Sequence, residues 1–345
     1  MAYTDIDDPR IYFEALIWAG NSTDDRAITG LQFQPDWVWI KERTTGQNHN
    51  VLDSVRGATK TMETNNSNAE ITDTTSLKSF TSDGFTLGTG VTVNGSGKNY
   101  VSWNWKSGAS FSNSSGSNGA TLDTTGIASN DAGLSIFTFT SAGTQKKLFH
   151  GLSTAPKVYI IKKRGTTTGH WFWYTTAFDG SLDRMRLDST DVKADDSNDA
   201  PTSALITSDN GSNGNTMVCY AMFEKKHYSK FGKYQGNGDA NGTYVHLGFK
   251  PAFIIIKGAI SGNGNAAQHP EMYDNKRNTG NPMDQALFPT LASGDSVQSR
   301  IDFLANGFRA IINSDGVNDT LSTYFYMAFA ESPFVNTNGV PTNAR

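Results

Sequence analysis

Apolar residues in this chain fall in short blocks instead of long stripes. "DWVWIK" (36–41), "KVYIIK" (157–162) and "AFIIIK" (252–257) each carry an unbroken apolar run that ends on lysine. A run of this kind, bounded by turn residues, predicts a β-strand covered on both faces. Between such blocks lie stretches rich in Gly, Ser, Thr and Asn, the residues that supply turn geometry. Few helices are expected. Hydrophobic residues make up 37% of the chain and charged ones 18%, which suits a turn-rich all-β protein.

The blocks are copies of one another. "LQFQPDWVWIK" (31–41), "LSTAPKVYIIK" (152–162) and "LGFKPAFIIIK" (247–257) align without a gap. Farther on, "YVSW" (100–103), "YAMF" (220–223) and "YMAF" (326–329) provide a second anchor at similar spacing from the first. A repeat at this period means one structural unit written several times. The prediction is three tandem antiparallel β-sandwich, jelly-roll-like modules at 1–106, 134–226 and 227–345. Residues 107–133, dominated by small polar side chains, read as a linker. "SDGF" (82–85) and "ANGF" (305–308) predict hairpins in the first and third modules; the second lacks that signal. The polar ends "TDIDDPR" (4–10) and "VNTNGVPTNAR" (335–345) look like arms that order only against a neighbour.

Six of the seven tryptophans form W-x-W pairs: Trp37 with Trp39, Trp103 with Trp105, and Trp171 with Trp173. Residues two apart on a strand share a face, so each pair makes an aromatic ledge, suited to core or to stacking on a sugar. The repeat places Val158 and Phe253 at Trp37, and Ile160 and Ile255 at Trp39, which predicts core. Aligning the second anchor puts Lys225 and Glu331 opposite Trp105, so the common fold does not call for an aromatic there. Trp105 and Trp171 are therefore the candidate glycan-binding residues.

Candidate chemistry is sparse. The formal net charge of −4 carries none of the basic excess that nucleic-acid binding needs. The lone Cys219 cannot form an intrachain disulfide. The acidic N-terminus does not read as a signal peptide and no apolar run spans a bilayer, which predicts synthesis in a reducing cytoplasm and no membrane insertion. His49, His170 and His269 follow the three strand-ending lysines, but His49 is one position out of register and so faces the opposite side of its strand. "NGDANG" (237–242) lacks the twelfth-position glutamate of a calcium loop, and "DVKADDSNDA" (191–200) reads as a solvated loop. Lys41, Lys162 and Lys257 are expected to carry their stems out to water. No catalytic residue, metal site or cofactor is expected.

Several motifs together resemble one family. "GLQFQPDWVWIKER", "LDSVRGATK" (52–60), "LKSFTSDGFTLG" (77–88), "VNGSGKNYVSWNWK" (93–106), "YSKFGKYQGNGDANG" (228–242) and "YMAFAESPF" with a terminal "NAR" are similar to repeat-built virion structural proteins of tailed bacteriophages, especially marine ones. The resemblance covers nearly the whole chain. It implies a β-sandwich module and a place on the outside of the particle, made in the host cytoplasm. It carries over no catalytic residue. The expectation is a non-enzymatic tail fibre or tail-tip protein contacting the host surface, with other virion proteins, copies of itself as a trimer, and a host glycan or receptor as partners. The alternatives are a capsid-decorating or head-fibre protein and a glycan-binding or glycan-degrading attachment protein. The missing turn in the second unit and the serine-rich connector predict an atypical middle module.

Overall fold

The computed structural model of the protein describes residues 4–165, 168–209, 211–262 and 268–342; the terminal "NAR" (343–345) lies outside them. Each of the three apolar runs becomes an interior strand. Trp37–Glu42 lies between Asn99–Trp105 and Asn50–Asp53, with Phe13–Ala19 beyond Asn99–Trp105. Val158–Lys163 lies between Thr216–Met222 and Trp171–Thr175, with Leu134–Thr140 beyond. Phe249–Ile260 lies between Thr323–Pro333 and Glu271–Asp274, with Ser229–Gln235 beyond. The same antiparallel order therefore occurs in all three modules.

A second sheet closes one face of each of these sheets. It comprises Arg26–Thr29, Gly84–Leu87 and Leu77–Thr81 in the first module, and Lys146–Phe149 with Leu205–Ser208 in the second. In the third it comprises Tyr244–His246, Gly307–Ala310, Ser296–Leu304 and Met283–Ala286. Alternation along the strands fills the three sandwich interiors. Val38, Ile40 and Leu52 meet Ile28, Phe85 and Leu87 in the first. Tyr159 and Ile161 meet Leu148 and Ile206 in the second, and Ile254 and Ile256 meet Val245, Ile301 and Phe308 in the third. The fold is all-β and built of antiparallel sandwiches.

The stretch 107–133 is not a linker. Ala109–Asn113 and Thr124–Ser129 form strands that extend the inner sheet of the second module, which becomes eight-stranded. At Gly126 a small residue is required by close approach: a β-carbon there would fall on the carbonyl oxygen of Ile136. What looks like connector composition is that of an exposed edge strand and its neighbour. The arms likewise order within the chain. Ile6 is buried, and Thr337 donates from its amide and its hydroxyl to the Asp7 carboxylate at 2.7 and 2.6 Å.

The second anchor is also re-registered. Trp37 pairs with Trp105, Val158 with Met222 and Phe253 with Phe329; Trp39, Ile160 and Ile255 pair with Trp103, Tyr220 and Met327. The counterparts of Trp105 are thus Met222 and Phe329, both apolar, and not Lys225 and Glu331. Tyr-x-x-aromatic is too short to set register, and Tyr324 lies two residues before Tyr326 as a competing match. The true counterpart of Tyr100 is Tyr324, for the two do the same job. Tyr100 donates to Val91 O at 2.6 Å and accepts from Gly95 N; Tyr324 donates to Asp315 O at 2.8 Å and accepts from Asp319 N.

The glycines of "SDGF" and "ANGF" have a reason other than the turn. Gly84 and Gly307 stand just after the tight connections, and a β-carbon on either would fall on a carbonyl oxygen of the adjacent strand, Ile28 O and Val245 O respectively. Gly84→Ala or Gly307→Ala should therefore destabilise the protein by about 1–3 kcal/mol through overpacking. Urea denaturation checks this, and an unchanged midpoint would mean the strands are free to move apart.

Candidate functional site

The inner sheets leave one face each outside the sandwiches, and these three faces meet one another. Phe13, Trp37, Trp39, Trp103 and Trp105 from the first module, Ile136, Ile160, Trp173 and Tyr220 from the second, and Phe231, Phe253, Ile255, Phe325 and Phe329 from the third form one continuous core. Rings interlock across the boundaries. Trp37 stacks on Tyr220 with centroids 4.7 Å apart, Trp173 meets Phe325 edge-on at 5.1 Å, and Phe13 stacks on Phe329 at 5.3 Å. This explains why the repeated strands are apolar at every position. Odd positions of the first run, Trp37 and Trp39, face the shared core, while Val38 and Ile40 face their own sandwich.

Both candidate sugar-stacking rings lie in this shared core. Trp105 is 2% exposed and packs on Phe13, Trp37, Phe253 and Phe329. Trp171 is 1% exposed, and its indole N–H donates to Glu63 O of the first module at 2.8 Å. Neither offers a face to a ligand. The counterparts of Trp105 in the folded register, Met222 and Phe329, are themselves core residues.

At one border of the core the three lysines turn inward as well. Lys41, Lys162 and Lys257 are fully buried, contrary to their expected path to water. Their ammonium groups donate to main-chain carbonyls of loops that border the neighbouring module. Lys41 reaches Ala292 O at 2.9 Å, Lys257 reaches Ser189 O at 2.8 Å, and Lys162 reaches Gly169 O, whose amide in turn donates to Ser67 O. Burial holds each of the three at about 8, below the usual 10.5 of lysine. With no exposed surface, they secure loops and are not reachable nucleophiles.

A pH dependence follows from these groups. Between about 8 and 10.5 the unfolded chain binds more protons than the folded one, so stability rises with pH across that window. Above pH 10 the sign reverses, because burial holds Tyr159, Tyr220 and Tyr228 well above their ordinary 10 and only the unfolded tyrosines ionise. Urea denaturation at intervals from pH 7 to 11 should therefore find greatest stability near pH 10. A steady fall from pH 8 upward would contradict the burial of the ammonium groups.

Two module boundaries also carry a buried ion pair at equivalent positions. Asp53 with Arg56 and Asp274 with Arg277 are fully covered Asp-x-x-Arg pairs at 2.5 and 2.6 Å. Each arginine also donates back to its own strand, Arg56 to Val51 O and Arg277 to Met272 O. Each aspartate accepts from an aromatic of another module: Asp53 from the Tyr220 hydroxyl at 2.6 Å, Asp274 from the Trp103 indole at 3.1 Å. The second module has Thr175 and Phe178 at these places, and the aromatic position facing them in the third is Met327. Where the carboxylate is missing, the hydroxyl or indole that would donate to it is missing too. Asp53, Thr175 and Asp274 align in the repeat, but their pairing with another module's aromatic leaves no signal in the sequence.

The histidines do not converge. His49 is buried, accepts from the Trp39 indole at 2.9 Å, and has its other nitrogen 3.0 Å from Phe288 O. His170 contacts Asp188, and His269 contacts Thr290. In "NGDANG", Asn318 inserts its amide between Asn237 Oδ1 and Asp239 O, filling the loop. In "DVKADDSNDA", Asp191 pairs with Arg186 and Asp195 with Lys193. Among the described residues no group of three or more His, Cys, Asp or Glu is placed to hold a metal, and no helix is long and apolar enough to cross a membrane.

A family model described as "Domain of unknown function (DUF7483)" matches residues 8–333. No curated protein and no solved structure matches the chain.

Proposed function

Because the chain belongs to the family described as a domain of unknown function (DUF7483), whose model spans all three modules, we propose a role from its residues and packing. It is a non-enzymatic structural protein of a tailed-phage virion, a tail fibre or tail-tip component that contacts the host surface. The observation that supports this most is the shared core: three sandwiches are locked together by aromatic packing and buried ion pairs. Such a body resists forces and solvents without disulfides and leaves surface loops to meet a partner. Its partners in this reading are other virion proteins, further copies of itself and a host surface receptor. The motif resemblance described above points the same way.

Mass spectrometry of purified particles, with gold-labelled antibody to locate the chain, tests the proposal. Labelling at the tail end is the expected result. Label confined to the head would replace it with a capsid-decorating role, and absence from the particle would end it.

A further inference from the structure

The three modules close on one another. The amide of Glu70 donates to Arg164 O at 3.1 Å, that of Lys193 to Ala259 O at 2.9 Å and that of Asp295 to Arg43 O at 2.8 Å. Each acceptor stands two residues past a buried lysine, Lys162, Lys257 or Lys41. The contacts are therefore equivalent: first module on second, second on third, third on first. A head-to-tail contact that returns to its start closes a ring and takes no further member. With the inner faces consumed in the shared core, a second copy of the chain has only the outside of the ring to meet.

Sheet edges are where that outside has backbone hydrogen bonds to offer, and charged side chains guard an edge against pairing. Glu14, Arg26, Lys78, Lys146, Lys230 and Asp284 stand in six of the edge strands. Among the described edge strands of four residues or more, only Leu205–Ser208 and Ala109–Asn113 carry no charge. Leu205–Ser208 is already engaged: Thr202 N donates to Leu205 O at 2.8 Å and the Tyr159 hydroxyl to Thr207 O at 3.2 Å.

Ala109–Asn113 is open. Among the described residues, no backbone group of this strand bonds to anything but Thr124–Ser129, with which it pairs over its whole length without a bulge. Ala109, Ser110 and Ser112 are exposed. The strand is nonetheless fixed, because Phe111 packs on Phe137 and Phe149 and the Asn113 amide donates to Ser114 O and Ser117 O. It is also an addition to the repeat. The inner sheets of the first and third modules stop at Phe13–Ala19 and Ser229–Gln235, the counterparts of Leu134–Thr140, and only the second continues outward by two strands.

We propose that Ala109–Asn113 joins two copies of this chain, the strands pairing antiparallel about a two-fold axis through Phe111. Ser110 of each copy then lies opposite Ser112 of the other, and Phe111 opposite Phe111. In this register the strand is its own complement: no like charges meet, and the outward N–H and C=O groups of each copy serve those of the other. The inference deepens the self-association named above and rests on that reading only for where copies are gathered.

Sedimentation velocity on the full chain over a wide concentration range tests it, and a monomer–dimer equilibrium is expected. Ser110→Lys with Ser112→Lys sets like charges opposite each other twice and should weaken the dimer about tenfold. Ser110→Lys with Ser112→Glu sets opposite charges there and should restore it. Both serines are exposed, so thermal melts of the two double variants should match the wild type. Hydrogen exchange on the wild type gives an answer without any variant: amides within 109–113 should slow as concentration rises. A chain monomeric at every concentration, a dimer indifferent to the lysine pair, or a charge swap no better than that pair overturns the proposal. So does slow exchange along 109–113 in particles of a chain that is monomeric by itself, which would put another protein's strand there. A chain found in particles that fails to pair leaves the virion reading standing; a chain that pairs but is absent from particles does the reverse.

Discussion

Replacing Arg277 by alanine should lower stability by about 3–5 kcal/mol, because it leaves the Asp274 carboxylate buried without its cation. Asp274 would keep only the Trp103 indole and the backbone amides of Lys276 and Arg277 as donors. Asp295 would lose one of its two arginines and keep Arg43. The chain itself contains the remedy. At the boundary between the second and third modules the equivalent positions are Thr175, Phe178 and Met327. The triple variant Asp274→Thr, Arg277→Phe, Trp103→Met writes that apolar solution into the boundary between the third and first modules. It should recover most of the loss, since a well-packed apolar set often equals a buried ion pair. Urea denaturation of the wild type, single and triple variants decides it. A triple variant no more stable than Arg277→Ala would show that the two solutions are not interchangeable, or that Asp295 is the group left uncompensated.

The larger effect is expected from cutting the chain. A fragment of residues 4–107 keeps a complete sandwich interior but bares Phe13, Trp37, Trp39, Trp103 and Trp105 on its inner sheet. A contiguous aromatic face of that size drives association. The fragment should be aggregated or unfolded, whereas the full chain should melt in one cooperative transition because all three modules share a core. Sedimentation velocity on the fragment and calorimetry on the full chain measure the two halves of this expectation. A soluble, folded monomeric fragment would mean that each sandwich stands by itself and that the shared core contributes little.

These outcomes bear on how the sequence is to be read. The apolar runs beginning at Trp37, Val158 and Phe253 are legible as buried strands because their residue types are apolar on both alternating faces. That pattern says a strand is covered twice. It does not say by what. One face is covered by the partner sheet of the same module, which local spacing and the glycines Gly84 and Gly307 foreshadow. The other is covered by sheets of other modules, far away along the chain, as Phe13 is by Phe329, and no local pattern records such a partner. The lysines mislead for the same reason. A lysine after an apolar run ordinarily reaches water, but Lys41, Lys162 and Lys257 end where a neighbouring module's loop supplies carbonyls.

The candidate binding residues are a further instance. Trp105 stands out as a binding residue only in the register that sets Lys225 and Glu331 opposite it; in the folded register Met222 and Phe329 stand there, and Trp105 and Trp171 are core.

By itself the sequence determined that this chain is all-β, that its unit is written three times, and that its central strands are sealed on both faces, because residue chemistry and period are local quantities. The tertiary structure alone decided that the modules share a core, that residues 107–133 carry two strands of a sheet, and which charges are buried. Those depend on what lies across a gap in space, and distance along the chain carries no record of it.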